Sequence, residues 1–123
     1  MTWVKLIFGR EVWVFISAYG PGSERGEDER ELFWQELTEC IGNFDRDVNV
    51  VLLGDLNAKV GENEIENIIG KYGVPGRNES GEMLVNMCAE HEMVIGNTWF
   101  KKAPINRYTW VRVIEERVVS RAL

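Results

Sequence analysis

The sequence predicts an α/β fold in which helices lie outside sheets. Segments of strand-forming composition alternate with segments of helical periodicity, in the order strand, helix, strand, helix, strand. Apolar residues make up 45% of the 123 residues, including five Trp and five Phe, which is typical of a folded domain rather than a disordered chain. The sequence contains no internal repeat and no low-complexity stretch. We therefore expect one domain at most.

Two strands are predicted to open the fold. Residues 3–8 and 12–18 are rich in β-branched and aromatic side chains, and the dipeptide Gly9-Arg10 between them favours a tight hairpin. The second strand is apolar at consecutive positions. We therefore expect it to be buried on both faces, between two layers.

A helix is predicted for residues 27–44. Its apolar residues recur at helical spacing, and acidic residues at its start suit the positive end of the helix dipole. The expected buried stripe, with Leu32 and Trp34 beside it, consists of Phe33, Leu37, Cys40, Ile41 and Phe44.

The second half of the chain is predicted to contain a strand, a long loop, a helix and two more strands. Residues 48–53 form the strand, and the loop at residues 62–81 is long enough to be a candidate for function. The helix at residues 81–91 is expected to bury Leu84, Met87 and Cys88. Further strands are expected to begin at Val94-Ile95 and to cover residues 108–114.

A carboxylate and an amide follow the strand at residues 48–53. Asp55 and Asn57 lie in the segment Gly54-Asp55-Leu56-Asn57-Ala58-Lys59-Val60-Gly61, and both side chains point the same way if extended geometry persists. An anionic acceptor beside an amide suits the holding of a metal ion or a water against a phosphate. The alternative is an ordinary Gly-Asp turn from strand to loop.

Composition restricts the class of protein. No apolar run approaches the length of a membrane helix, the N-terminus does not have the pattern of a signal peptide, and no Cys/His spacing suggests zinc. Cys40 and Cys88 are expected to be buried free thiols. The protein is expected to be intracellular, either nuclear or cytoplasmic, and not secreted. The net charge of −6 disfavours tight DNA binding. Basic residues that could form a rim are Lys101, Lys102, Arg107, Arg112 and Arg117, but the charge pattern alone favours an ordinary solvated face.

Four short segments, taken in order, resemble the endonuclease/exonuclease/phosphatase superfamily. They are Tyr19-Gly20-Pro21 after the second strand, Gly54-Asp55-Leu56-Asn57, Gly96-Asn97-Thr98-Trp99-Phe100, and Arg107-Tyr108-Thr109-Trp110. Within that superfamily the chain is most similar to endonucleases of RTE-type non-LTR retrotransposons and to the retrotransposon-derived craniofacial development protein 2-like family. The resemblance implies a DNase I-like fold, of which this chain would be a partial two-sheet β-sandwich flanked by helices and lacking N- and C-terminal strands.

The resemblance also implies roles for particular residues. Asp55 matches the aspartate that orients or deprotonates the attacking water and that serves in some members as a metal ligand. Asn57 matches an amide that holds the scissile phosphate, and Tyr19 matches a tyrosine whose hydroxyl contacts it. Trp110 matches an aromatic residue beside the nucleotide-binding cleft, where it would stack on a base or pack in the core, and Asn97 lies in a segment that ties strand to loop. The implied cofactor is Mg²⁺ or Mn²⁺, and the implied partner is DNA.

The resemblance further implies segments that this sequence lacks. The family's metal-binding asparagine and glutamate would precede Met1, and its Ser-Asp-His segment would follow Leu123. His91 is not expected to be the catalytic histidine of that segment, because it lies at the end of a predicted helix. Residues 1–123 are thus expected to be the central fragment of a magnesium-dependent DNA endonuclease domain, weakly active or inactive. The alternatives are a non-catalytic remnant that serves as a binding module, and a hydrolase of phosphoinositides or other phosphoesters.

Overall fold

The computed structural model describes residues 1–101, together with the backbone of Tyr108–Ile114 and Arg117–Ala122. The elements in order are β1 (Thr2–Phe8), β2 (Glu11–Tyr19), α1 (Glu27–Gly42), β3 (Asn49–Asp55), α2 (Glu79–Glu90), a 3₁₀ helix (Gly96–Thr98), β4 (Tyr108–Ile114) and β5 (Arg117–Ala122). The predicted mixed α/β class is confirmed. The elements fall into two compact units, Met1–Asn57 and Ala58–Leu123.

The first unit contains a three-stranded sheet in the order β1-β2-β3. β1 and β2 form the predicted antiparallel hairpin, in which Phe8 pairs with Glu11 and Gly9 takes a φ of +59° in the two-residue loop. β2 and β3 are parallel, and Tyr19 pairs with Asp55 at their carboxyl ends. Both strands therefore deliver their last residues to the same edge of the sheet.

The two faces of this sheet differ in burial. Val14, Ile16 and Ala18 of β2 share one face and are buried, and near that face Trp3 of β1 makes an edge-on ring contact with Phe44 at a centroid distance of 5.2 Å. The opposite face, which we call the open face, carries the apolar side chains of Val4, Leu6, Phe8, Trp13, Phe15, Val51 and Leu53. Leu6 is 42% exposed, Phe8 59% and Leu53 52%. The prediction that β2 is buried on both faces was therefore wrong: alternate residues of a strand belong to opposite faces, and the fully buried residues of β2 all lie on one of them.

Helix α1 ends two residues before the predicted position, at Gly42, with Asn43 as its C-cap. Its buried residues are Trp34, Leu37 and Ile41, whereas Leu32 is 54% exposed. Trp34 thus belongs to the centre of the buried stripe rather than to its margin. The i, i+3, i+7 spacing of these three residues is that of one helix face.

The second unit begins with an ordered loop. Isolated bridges join Val60 to Arg77 and Ile65 to Ile69, so the long segment before α2 has a fixed path. α2 starts two residues earlier than predicted because Asn78 caps it, accepting a hydrogen bond at its side chain from the backbone N–H of Gly81 at 2.8 Å. The predicted buried residues Leu84, Met87 and Cys88 are confirmed.

The strand predicted to begin at Val94-Ile95 was wrong, because a 3₁₀ helix, Gly96–Thr98, follows directly. The hydroxyl of Thr98 donates to the carbonyl of Ile95 at 2.7 Å, and the backbone N–H of Thr98 bonds the same residue at 3.1 Å. These local hydrogen bonds turn the chain where two apolar β-branched residues would otherwise favour an extended conformation.

The final strands form a two-stranded antiparallel sheet. β4 confirms the predicted strand at residues 108–114, and β5 was not predicted. Of the residues expected to form a basic rim, only Lys101 belongs to the fully described range, where it is exposed, and the other four side chains lie outside the described residues. None of the described helices has the length and hydropathy needed to span a membrane.

Candidate functional site

The candidate site lies at the carboxyl ends of the parallel strands β2 and β3. Tyr19 and Asp55 are register neighbours, so their side chains leave the sheet on the same side, which is that of the open face. β3 extends to Asp55, two residues beyond the predicted end of the strand. Tyr19 is 74% exposed, so it does not pack in the core of this structure. Open α/β sheets commonly bind ligands at such strand ends.

Asp55 is half-buried and is held by the loop that follows it. Its Oδ1 accepts a hydrogen bond from the backbone N–H of Asn57 at 3.0 Å, the pattern of an Asx turn. Its backbone carbonyl accepts from the N–H of Gly20 at 2.8 Å, which extends the β2–β3 pairing by one residue. Both contacts fix the carboxylate at the end of its strand.

Asn57 does not follow the strand. Its φ is +51°, in the left-handed region, so the extended geometry ends before it and the shared parity of Asp55 and Asn57 does not set the direction of its side chain. Its Nδ2 donates to the carbonyl oxygen of Gly20 at 2.6 Å. The amide therefore ties the loop after β3 to the end of β2.

Gly54 permits the close approach of the two strands at this edge. Its φ of +122° is rarely adopted by residues with a side chain, and a Cβ there would lie 3.0 Å from the carbonyl carbon of Ala18. A glycine before Asp55 is thus needed both for conformation and for space. A functional site and an ordinary structural turn would both require this glycine, so it does not distinguish between them.

The arrangement offers a fixed carboxylate beside an exposed phenol. A carboxylate in this position can accept a proton from a water or bind a hard cation, and a phenol can donate to an anionic oxygen. Within the part of the chain that the structure describes, no group of three or more His, Cys, Asp or Glu is placed to hold a metal ion. Asp55 could thus supply one ligand, with others coming from water or substrate.

The structure places the other predicted site residues elsewhere or leaves them undescribed. Asn97 is exposed in the 3₁₀ helix of the second unit. Within that unit, Thr98 joins this segment to the preceding loop. Its Oγ1 accepts a hydrogen bond from the backbone N–H of Gly70 at 2.9 Å. Its backbone carbonyl accepts one from the backbone N–H of Tyr72, also at 2.9 Å. Trp110 falls on β4, and its side chain lies outside the described residues.

Three residues with reactive side chains, His91, Cys40 and Cys88, take structural positions. His91 is the C-cap of α2, as its place at a helix end predicted, and its backbone N–H bonds the carbonyl of Met87 at 3.0 Å. Cys40 is half-buried and Cys88 is buried, and both are free thiols. Burial raises the pKa of the Cys88 thiol to about 11, so this thiol is neutral at physiological pH.

Sequence reasoning missed two residues that organise these segments, Gly20 and Thr98. The sequence showed Gly20 only as part of the segment Tyr19-Gly20-Pro21. Its hydrogen bonds with Asp55 and Asn57 join residues that are 35 or more positions apart in the sequence. The one sequence signal for its role was its position between a strand and Pro21. A residue before proline favours an extended backbone, which directs its carbonyl away from the strand.

Comparison with known proteins finds two curated relatives of the same name. The chain is 34% identical over 95 residues to craniofacial development protein 2 of Bos taurus and 36% identical over 95 residues to that of Tragulus javanicus. Each match covers 77% of this chain and 16% of the relative, so the chain spans about a sixth of the relatives' length. No family model matches the sequence, and no solved structure matches the chain.

Proposed function

We propose, on the premise that this chain is homologous over 95 residues to craniofacial development protein 2, that it carries part of the site of a retrotransposon-derived, metal-dependent DNA endonuclease. The fold would be DNase I-like, and the open face of β1–β3 would be an inner face of a two-sheet sandwich. The observation that carries the proposal is the convergence of Tyr19, Asp55 and Asn57 at the ends of β2 and β3.

The residues at this site suit phosphodiester hydrolysis. Asp55, fixed by its hydrogen bond from the backbone of Asn57, would orient the attacking water and accept its proton. The exposed hydroxyl of Tyr19 would donate to a phosphate oxygen. Asn57 would act chiefly by holding the loop, because its Nδ2 already donates to the carbonyl of Gly20.

The described residues fit Mg²⁺ or Mn²⁺ only as part of a larger ligand set. Mg²⁺ is commonly bound by one or two carboxylates, several waters and substrate phosphates, and Asp55 can supply one such carboxylate. When bound, the ion would neutralise the charge that develops on the phosphate during cleavage. The residues that the structure places at the site include one carboxylate and no histidine. We therefore expect cleavage by this chain to be slow.

The first test is nicking of supercoiled plasmid by the purified chain, with Mg²⁺ and with a chelator. A matched pair of variants separates the site from general charge effects: Asp55→Asn removes the carboxylate, and Asp47→Asn removes an exposed carboxylate just before the other end of β3. We expect metal-dependent nicking to fall by roughly tenfold or more in Asp55→Asn and to be unchanged in Asp47→Asn. Equal rates in the wild type and Asp55→Asn would contradict the proposal.

A binding measurement covers the case in which cleavage is too slow to follow. Mn²⁺ broadens NMR signals near its binding site, so backbone signals of residues 55–57 should broaden first in the wild type. Asp55→Asn should abolish this selectivity, whereas Asp47→Asn should retain it. Broadening centred on the acidic residues of α1 instead would show that the metal binds a charged surface and not the candidate site.

One observation favours a second candidate function, a non-catalytic interaction module. The open face is apolar and exposed, and exposed apolar patches of this kind mark interaction sites in many proteins. A soluble, folded chain that neither nicks DNA nor binds Mn²⁺ at residues 55–57 would favour this candidate over the endonuclease.

A further inference from the structure

We infer that Gly20 is a positioning residue of the candidate site, which fixes Asp55 and Asn57 relative to each other before any ligand binds. The inference rests on the proposed function, because it assigns Gly20 a role in presenting the carboxylate of that site. It concerns a residue that has no side chain and therefore acts only through its backbone and its small size.

Three hydrogen bonds close a cycle through Gly20, Asp55 and Asn57. The N–H of Gly20 donates to the backbone carbonyl of Asp55 at 2.8 Å, and the backbone N–H of Asn57 donates to Oδ1 of Asp55 at 3.0 Å. The side chain of Asn57 then donates from Nδ2 to the carbonyl of Gly20 at 2.6 Å. Each of the three residues is thus bonded to both others, so moving one of them breaks two hydrogen bonds.

The size of Gly20 is required for this cycle. Gly20 is buried, and a Cβ at this position would lie 2.7 Å from the carbonyl carbon of Leu56 and 3.0 Å from its Cα. These are backbone atoms of the segment between Asp55 and Asn57, so they cannot rotate away as a flexible side chain can. A methyl group at residue 20 would therefore push the Asp55–Asn57 loop away from the end of β2.

The backbone on both sides of Gly20 also restricts it. Tyr19 is held in register with Asp55, and Pro21 confines the residue before it to extended conformations. The direction of the Gly20 carbonyl is therefore set by the chain and not by Asn57. Asn57 has a left-handed φ of +51°, which asparagine tolerates better than most residues, and its side-chain bond to this carbonyl holds it there.

The test compares Gly20→Ala with Gly22→Ala. Gly22 lies two residues away, and the atoms nearest to a Cβ there belong to the carboxylate end of the flexible Glu24 side chain, which can move aside. In Gly20→Ala we expect the NMR signals of the Asn57 side-chain amide to shift to those of a solvated asparagine. We also expect apparent Mn²⁺ affinity at residues 55–57 to fall tenfold or more, while Gly22→Ala changes neither.

A second variant keeps the inference testable if Gly20→Ala does not fold. Asn57→Gly retains a residue suited to a left-handed φ but removes the Nδ2 donor, and it leaves Gly20 unchanged. We expect the same loss of Mn²⁺ affinity, with circular dichroism and unfolding temperature close to those of the wild type. Folded Gly20→Ala or Asn57→Gly protein with wild-type signals at Asp55 would overturn the inference.

The outcomes for the inference and for the proposed function are separable. The NMR signals of the Asn57 amide and of Asp55 report the positioning whether or not the chain cleaves DNA. If Gly20→Ala displaces them while the wild type shows neither cleavage nor Mn²⁺ binding, Gly20 positions these residues and the endonuclease proposal fails. If the wild type cleaves and Gly20→Ala cleaves equally well, the endonuclease proposal stands and the positioning role fails.

Discussion

At the scale of single residues, the sequence predicted that Asp55 follows a strand, whereas the extended geometry considered for Asn57 does not occur. Asp55 ends a strand, and strand parity is a strong rule, so its side-chain direction follows from the pairing of β3 with β2. Asn57 comes two residues later, where the backbone has turned to a φ of +51°. The side-chain hydrogen bond that Asn57 donates to the carbonyl of Gly20 joins residues 37 positions apart, so no local pattern of the sequence shows this contact.

A prediction at the same scale concerns the thiol of Cys88 and the pH dependence of stability. Burial raises its pKa from 9.0 to about 11. In the unfolded chain the thiol loses its proton as the pH passes 9.0, whereas the folded chain retains it until about pH 11. The contribution of the Cys88 thiol to stability is therefore fully present below the unfolded-state pKa of 9.0. It is lost as the pH rises to the folded-state pKa of about 11.

The measurement is urea unfolding of the wild type and Cys88→Ala near neutral pH and again between the two pKa values. We expect the free energy of unfolding to fall with pH by about 1–2 kcal/mol more in the wild type than in Cys88→Ala. Contributions that are common to both proteins cancel in the comparison. Parallel pH profiles would show that the Cys88 thiol has no raised pKa.

At the scale of helices and strands, the periodicity of apolar residues predicted both helices and the strands β1 to β4. The errors lie at ends and in one short segment. Val94 and Ile95 favour a strand by composition, but the hydrogen bonds of Thr98 to Ile95 close a turn there. β3 runs on to Asp55 because β2 supplies a pairing partner at Tyr19, which the sequence of β3 alone does not show.

The start of α2 gives a prediction for one element. The side-chain oxygen of Asn78 accepts from the N–H groups of Gly81 at 2.8 Å and Lys59 at 3.0 Å, so it caps the helix and fixes the preceding loop together. Asn78→Ala removes the acceptor of both hydrogen bonds and should lower the free energy of unfolding by about 1–2 kcal/mol. Asn78→Asp keeps the accepting oxygen and should recover most of that loss.

Chemical denaturation of the three proteins checks the capping role. Asn78 also begins the sequence Asn78-Glu79-Ser80, a glycosylation acceptor pattern, but its side-chain oxygen is engaged with the backbone and Ser80 is buried. If Asn78→Asp were as unstable as Asn78→Ala, the stabilising group would be the amide nitrogen and the capping interpretation would be wrong.

At the scale of the whole molecule, the α/β class followed from the order of elements, but the pairing of strands did not. The parallel pairing of β2 with β3 joins residues 36 positions apart, such as Trp13 and Asn49, and it depends on how α1 connects the strands. The second strand of the β4–β5 pair was missed because Arg117–Ala122 carries two arginines and a serine among its apolar residues. Composition alone gave the net charge of −6, which weighs against strong DNA binding.

The open face supplies the last prediction, which concerns the surface that this sheet presents to water. Leu6 lies on it, opposite Trp13 and between Val4 and Phe8, whereas Ile7 lies next to Leu6 in β1 but on the other face. Leu6→Lys should therefore place a charge within a continuous apolar patch, and Ile7→Lys should not. Both residues are exposed, Leu6 by 42% and Ile7 by 69%, so neither substitution buries a charge.

We expect the wild type to bind an apolar fluorescent dye such as anilinonaphthalene sulfonate while fully folded, and Leu6→Lys to lower the fluorescence by about twofold or more. Ile7→Lys should change it little, and circular dichroism should show equal folding of all three proteins. If the two substitutions had equal effects, the dye would bind outside the open face, and that face would no longer support the interaction-module candidate. A selective effect of Leu6→Lys would instead show an accessible apolar surface on the same side of the sheet as Tyr19 and Asp55, so that any layer covering it would also border the candidate site.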